Sequence, residues 1–201
     1  MADPPPENRR PYRVVVTGGP GGGKTTAADL FRREIGDRVI VVPETATLLF
    51  AGGFPRPIAE AAVRSAQRAI FHVQRGLEEI QSANYPDRLL LCDRGTVDGA
   101  AYWPDGADSF FAGVGSTHDG ELARYDAVLF FETAARGGQG FESENRFRTE
   151  SQHEAVELDG RLRALWDDHP HFEVIPHTAS FFRKMTTGLA ILESLVAKLP
   201  R

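Results

Sequence analysis

Val14-Val15-Val16-Thr17-Gly18-Gly19-Pro20-Gly21-Gly22-Gly23-Lys24-Thr25-Thr26 is the stretch that decides the fold. The β-branched run predicts a buried strand, and the glycines predict a turn. The apolar positions Ala27, Leu30, Phe31 and Ile35 then share one helical face, and Gly36 closes that helix. A Gly18-x4-Gly23-Lys24-Thr25 pattern between a strand and a helix is the setting of a phosphate-binding loop. Glycines let backbone N–H groups turn inward around an anion with no Cβ in the way. The helix start adds the positive end of its dipole. Lys24 is spaced to reach β- and γ-phosphates, and the Thr25 hydroxyl to ligate Mg2+. The expected nucleotide-binding set is Gly18, Gly19, Pro20, Gly21, Gly22, Gly23, Lys24, Thr25 and Thr26, with ATP or GTP as ligand and Mg2+ as cofactor.

Four more short apolar runs follow: Val39–Val42, Leu89–Cys92, Ala127–Phe131 and Phe172–Ile175. Leu89-Leu90-Leu91-Cys92 has no polar alternation, as expected of a strand covered on both faces. Helical rhythms separate the runs. One starts near Pro57 and places Ile58, Ala62, Ala66, Ala69, Val73, Leu77 and Ile80 on one stripe. Another carries Ala155, Leu158, Leu162 and Leu165, and the last carries Phe182, Met185, Leu189, Leu192, Val196 and Leu199. Five β-runs alternating with helices predict an α/β three-layer sandwich, a five-stranded parallel sheet with helices on both faces. Residues 98–125, rich in Gly, Asp and aromatics, read as a substrate-side insertion.

The chain has 201 residues, a net charge of −5, 41% apolar residues and one cysteine. That length suits one core, so residues 12–201 are expected to form one domain after a flexible lead-in over 1–11. The acidic balance argues against a dedicated nucleic-acid binder. A lone cysteine builds no intrachain disulfide framework and fits a reducing, cytoplasmic setting. No apolar run has the length of a membrane span, and the N-terminal residues lack the apolar region of a signal peptide.

In open parallel sheets ligands bind beyond the carboxyl ends of the strands, where Glu44, Asp93 and Glu132 lie. Asp93 either orients a water on Mg2+ or acts as a base, or it caps the next turn. Arg94 either clamps a phosphate or substrate anion or forms a surface ion pair. Glu44 either takes a proton from an acceptor hydroxyl or caps a helix over 45–50. Glu132 is the weaker candidate, with a solvated carboxylate as the alternative. The segment 134–150 carries Arg136, Arg146 and Arg148, which can close over a triphosphate as a lid. The same arginines can instead pair with Glu142, Glu144 and Glu150 in a solvated loop. His169 and His171 lack Cys or carboxylate partners at ligand spacing, which favours a surface turn over a metal site. His177 falls where a loop beside the base is expected. Trp103 and Phe110-Phe111 either stack on a substrate or fill the core.

The chain has no Asn-Lys-x-Asp or Thr-Lys-x-Asp guanine reader, and Asp93 is followed by Arg94 rather than by a second acid. Small-molecule kinases have that Asp-Arg arrangement. Val42-Pro43-Glu44-Thr45-Ala46, Asp93-Arg94-Gly95-Thr96-Val97-Asp98 and Asn145-Arg146-Phe147-Arg148-Thr149-Glu150 together resemble the NadR-type AAA-domain family of ATP/GTP-binding P-loop proteins. That resemblance runs from about Tyr12 to Leu199. It implies a nucleoside/nucleotide-kinase-like sheet ordered 2-3-1-4-5. One branch of the family is similar to ribosylnicotinamide kinase, and another binds GTP and phosphoinositides. Deoxynucleoside kinases look related in layout. By that likeness Glu44 is the general base, Arg94 the arginine after the strand-three acid, and Arg146 and Arg148 lid arginines.

Two functions fit. The first is a kinase that moves a γ-phosphoryl group to a small hydroxyl acceptor, with Lys24, Glu44, Asp93, Arg94, Arg146 and Arg148 catalytic and Thr25 and Asp93 at the metal. Gln67, Phe71 and Gln74, opposite the apolar stripe, are then candidates to line the acceptor pocket. The second is a nucleotide-dependent switch that recognises a lipid headgroup or a protein and hydrolyses slowly. The acceptor, the choice between ATP and GTP and the oligomeric state leave no mark in the residues.

Overall fold

The computed structural model describes residues 10–137 and 152–197. Its strands are β1 (Tyr12–Thr17), β2 (Val39–Val42), β3 (Leu89–Asp93), β4 (Ala127–Phe131) and β5 (Phe172–Ile175). They form one parallel sheet in the order β2-β3-β1-β4-β5, the order expected. Its helices are α1 (Lys24–Ile35), α2 (Thr45–Ala51), α3 (Glu60–Asn84), α4 (Ala107–Gly113), α5 (His118–Leu122), α6 (Gln152–Trp166) and α7 (Phe181–Val196).

Successive residues of a strand point to opposite faces, and both faces are covered. Val14 and Val16 of β1, Leu89 and Leu91 of β3 and Leu129 and Phe131 of β4 join Phe31 of α1 and Met185 and Leu192 of α7. The intervening Val15, Leu90, Cys92 and Val128 pack with Phe71 of α3, Phe110 of α4 and Trp166 of α6. This double burial explains why the central strands read as unbroken apolar runs.

Two helical stripes differ from the expectation. Helix α3 begins at Glu60, and Ile58, Val73 and Ile80 are exposed. Its inward face instead carries Phe71, Gln74 and Glu78. Gln74 and Glu78 bond to each other and to residues of other elements, so burial leaves no polar atom stranded there. Phe182, expected on the buried stripe of α7, is exposed; Leu199 lies outside the described residues. The stretch 98–125 is no separate insertion. A 3-10 turn over Thr96–Tyr102, then α4 and α5, cover one face of the sheet. Trp103 and Phe110 meet edge to face in that core, 5.4 Å between centroids.

No helix among the described residues is long and apolar enough to cross a membrane.

Phe31 is fully buried between α1, α7 and Phe131. Phe31→Ala should cost ~3–5 kcal/mol through the cavity it leaves. Urea unfolding checks this: the midpoint should fall at an unchanged slope.

Candidate functional site

The loop after β1 turns inside the gap left by the end of β4. Gly18 has φ 127°, and a Cβ there would sit 2.1 Å from the Phe131 carbonyl oxygen. A Cβ on Gly22 would lie 2.7 Å from the same atom. Gly23, at φ 84°, begins α1 with no side-chain cap, and the first turn of α1 has no acidic residue. The first N–H groups of a helix have no intrahelical acceptor. Among the described residues no side chain caps this end, and the positive end of the helix dipole favours an anion there. Lys24 is buried and donates to the Gly19 carbonyl at 2.6 Å. Thr25 and Thr26 are exposed at the helix start.

The back of this loop is held by residues distant in sequence. Asp159 of α6 is fully buried, and its Oδ1 accepts from the N–H groups of Gly19 at 2.9 Å and Thr133 at 3.0 Å. The Thr133 hydroxyl donates to the Pro20 carbonyl at 2.5 Å. Lys184 of α7 donates to the Glu132 carbonyl at 2.5 Å and lies over the Phe131 ring. Burial pulls the Lys184 ammonium down to about 8, against the pull of Asp159 and Glu132. Glu132, expected as a catalytic candidate or a solvated acid, does neither. It accepts from the His177 N–H at 3.0 Å and from Arg163 at 3.3 Å, tying the loop after β5 to the end of β4.

Asp93 ends β3 beside Val16 of β1. Its Oδ2 accepts from the Thr25 hydroxyl at 2.7 Å, while its buried Oδ1 has no hydrogen-bond partner. Burial, then the charge of Glu44, raises its pKa to about 6; Thr25, Lys24 and Arg94 pull the other way. A hydroxyl oxygen beside a partly unsatisfied buried carboxylate is an oxygen donor set that suits hydrated Mg2+. The cap reading of Asp93 has no support, since the next turn starts at Gly95 without a side-chain cap.

Glu44 follows β2 at the N-cap position of α2, but its side chain does not cap the helix. Its Oε2 accepts from the Thr47 hydroxyl at 2.5 Å and its Oε1 from Arg94 Nε at 2.6 Å. Arg94 also donates through Nη1 to Asp98 at 2.9 Å. It is buried, so the surface-pair reading does not hold. Burial works against its charge, yet Tyr102, Glu44 and Asp98 hold its pKa well above the usual value. Among the described residues, Arg94 is the only non-glycine residue with positive φ, at 72°. Such a conformation persists only where the surroundings impose it.

Glu44, Arg94 and Asp98 form the polar wall of a cavity of about 650 Å3. Phe50, Ile70 and Phe71 supply apolar wall; Gln67 and Gln74 line it too. No residue of the phosphate loop lines it. The two sites adjoin through the Glu44–Asp93 interaction and through Thr17, whose hydroxyl donates to Asp98.

The structure thus brings Lys24, Thr25, Asp93, Glu44 and Arg94 together. Arg146 and Arg148, and the side chain of Arg136, lie outside what it describes. Trp103, Phe110 and Phe111 are core residues. His169 and His171 do lie in a surface turn, where His171 is exposed, but the His169 side chain is buried and its ring bonds the Tyr125 carbonyl and the His171 N–H. Asp98, Asp159 and Lys184 escaped the sequence reading as site residues. A buried charge in the middle of a helix or turn has no local signature.

The family model described as AAA domain matches residues 13–184. No curated protein matches the chain.

Asp159→Ala would leave two buried N–H groups without acceptors, at ~1–3 kcal/mol each. A lower unfolding midpoint together with weaker nucleotide binding, measured by titration calorimetry, is the expected result. Asp93 supplies a pH test. Its folded pKa is raised from 3.8 to about 6, so the folded state holds the proton more tightly than the unfolded state. Its contribution to stability is therefore lost as pH rises from about 4 to about 6. Relative to wild type, Asp93→Asn should gain up to ~3 kcal/mol of stability between pH 4 and pH 7, read from urea unfolding at each pH.

Proposed function

The chain belongs to the AAA domain family, and from that premise we propose that it is a Mg2+-dependent phosphotransferase. It moves the γ-phosphoryl group of ATP or GTP to a hydroxyl of a small acceptor seated in the cavity beside the phosphate loop. One observation carries this reading. A buried carboxylate, Glu44, lies in the cavity wall and is bonded to Arg94, the residue after Asp93, whose carboxylate accepts from Thr25 of the phosphate loop. An acceptor in the cavity and a nucleotide in the loop would meet at Glu44.

In this mechanism the acceptor oxygen forms a bond to the γ-phosphorus. The bond from phosphorus to the β–γ bridging oxygen breaks, and its electrons leave with the nucleoside diphosphate. The acceptor proton goes to Glu44. Lys24 leaves the Gly19 carbonyl for the phosphates, a short swing of a flexible side chain. Arg94, fixed between two carboxylates, stabilises charge on the transferring group without reorganising. Thr25 and Asp93 would hold Mg2+, which neutralises phosphate charge when bound. The apolar part of the wall, at Phe50, Ile70 and Phe71, suits an acceptor with an apolar body rather than a bare polyol.

The test is γ-phosphoryl transfer from Mg-ATP and Mg-GTP to a panel of nucleosides, sugars and inositol phosphates. Wild type should show acceptor-dependent turnover. Glu44→Gln should lose at least ~100-fold in kcat, the usual contribution of a general base, with nucleotide affinity little changed. Tight nucleotide binding without acceptor-dependent turnover would return the chain to the alternative of a nucleotide-dependent binding module.

A further inference from the structure

Arg94 is held in a left-handed conformation that arginine does not choose. Its N–H donates to the Val16 carbonyl and its carbonyl accepts from Gln74, and two further residues brace its side chain and the residue after it. Asp98, four residues on, accepts Nη1 of Arg94 at 2.9 Å. Asp98 is itself immobilised: the Thr17 hydroxyl lies 2.9 Å from both of its oxygens, and the Trp166 indole N–H donates to Oδ1 at 2.7 Å. Trp166 is fully buried and packs edge to face on Tyr125. Its ring also closes over the residue after Arg94, since a Cβ on Gly95 would lie 2.8 Å from the indole. Trp166 therefore fixes both the carboxylate that grips the guanidinium and the backbone that follows the arginine.

We propose that Asp98 and Trp166 are positioning residues that hold the Arg94 guanidinium against Glu44 in the cavity wall. Trp166 and Asp98, the latter also lining the cavity, act through Arg94. Without Asp98 the guanidinium would keep its Nε bond to Glu44 but lose the grip on Nη1. With it, the planar fork is gripped at Nε and at Nη1. Trp166 and Asp159 lie seven residues apart on α6, near two helical turns. The same helix thus braces the phosphate loop and the arginine. This assignment rests on the proposed function only for its consequence in catalysis; the clamp itself is a property of the fold.

The direct readout is the Nε–H proton of Arg94, observed by NMR and assigned through Arg94→Lys. In wild type it should exchange slowly with solvent. Asp98→Asn preserves an acceptor for Thr17 and Trp166 but turns a donor toward Arg94. It should speed that exchange at least about tenfold, as expected for a lost charge-assisted bond. Affinity for Mg-ATP should stay within about twofold. Trp166→Phe keeps an aromatic ring but loses the indole donor and the ring atoms that close over Gly95, while Asp98 keeps its bond to Arg94, so it should give a smaller acceleration, and it serves if Asp98→Asn does not fold. Where an acceptor turns over, kcat should fall at least about tenfold in Asp98→Asn. Unchanged Arg94 exchange in the folded variants would overturn the proposal, whatever the activity. Faster exchange with no acceptor turned over by wild type would uphold the clamp and count against the phosphotransferase reading alone.

Discussion

A phosphate loop must leave its helix-start N–H groups uncapped, and so it has to be held from behind. Here much of the holding falls to one buried carboxylate. Asp159 accepts the N–H of Gly19 on one side and of Thr133 on the other, and the Thr133 hydroxyl donates to the Pro20 carbonyl, so the loop after β1 and the end of β4 are tied together. The close approach of Gly18 and Gly22 to the Phe131 carbonyl follows from that tie, because any side chain there would push the two segments apart. The burial of Asp159 is tolerable since both donors are neutral, fixed and well aligned.

The second half of the site obeys a different constraint. Glu44 and Asp98 come from segments after β2 and β3 and would repel each other in the cavity wall. Arg94 between them turns that repulsion into a chain of charge-assisted bonds. A strained backbone at Arg94 is the cost of placing one cation where two strands deliver anions. The polar inward face of α3 extends the arrangement: Gln74 bonds Thr45 and Glu78 and donates to the Arg94 carbonyl.

The fold was legible in the sequence where its cause is local. Strands covered on both faces must be apolar without interruption, and a strand, a glycine turn and Lys24-Thr25 announce a phosphate loop within fourteen consecutive residues, 12–25. Glu44, Asp93 and Arg94 were legible because they end strands. Asp159 was not, for its partner Gly19 lies 140 residues away. Periodicity failed on α3 because it counts apolar residues as inward. That helix turns Phe71, Gln74 and Glu78 in and Val73 and Ile80 out, since a cavity and a hydrogen-bond network accept the polar groups.

The chain carries only two tryptophans, and they differ in what surrounds them. Trp103 meets Phe110 in the core and donates to the Ser109 hydroxyl. Trp166 donates its indole N–H to the carboxylate that grips Arg94. Negative charge beside the pyrrole end of an indole shifts its excited-state energy, so the two rings should differ in emission wavelength. The protein thereby contains its own optical probe of the cavity wall, with the second tryptophan as an internal standard and no label to attach.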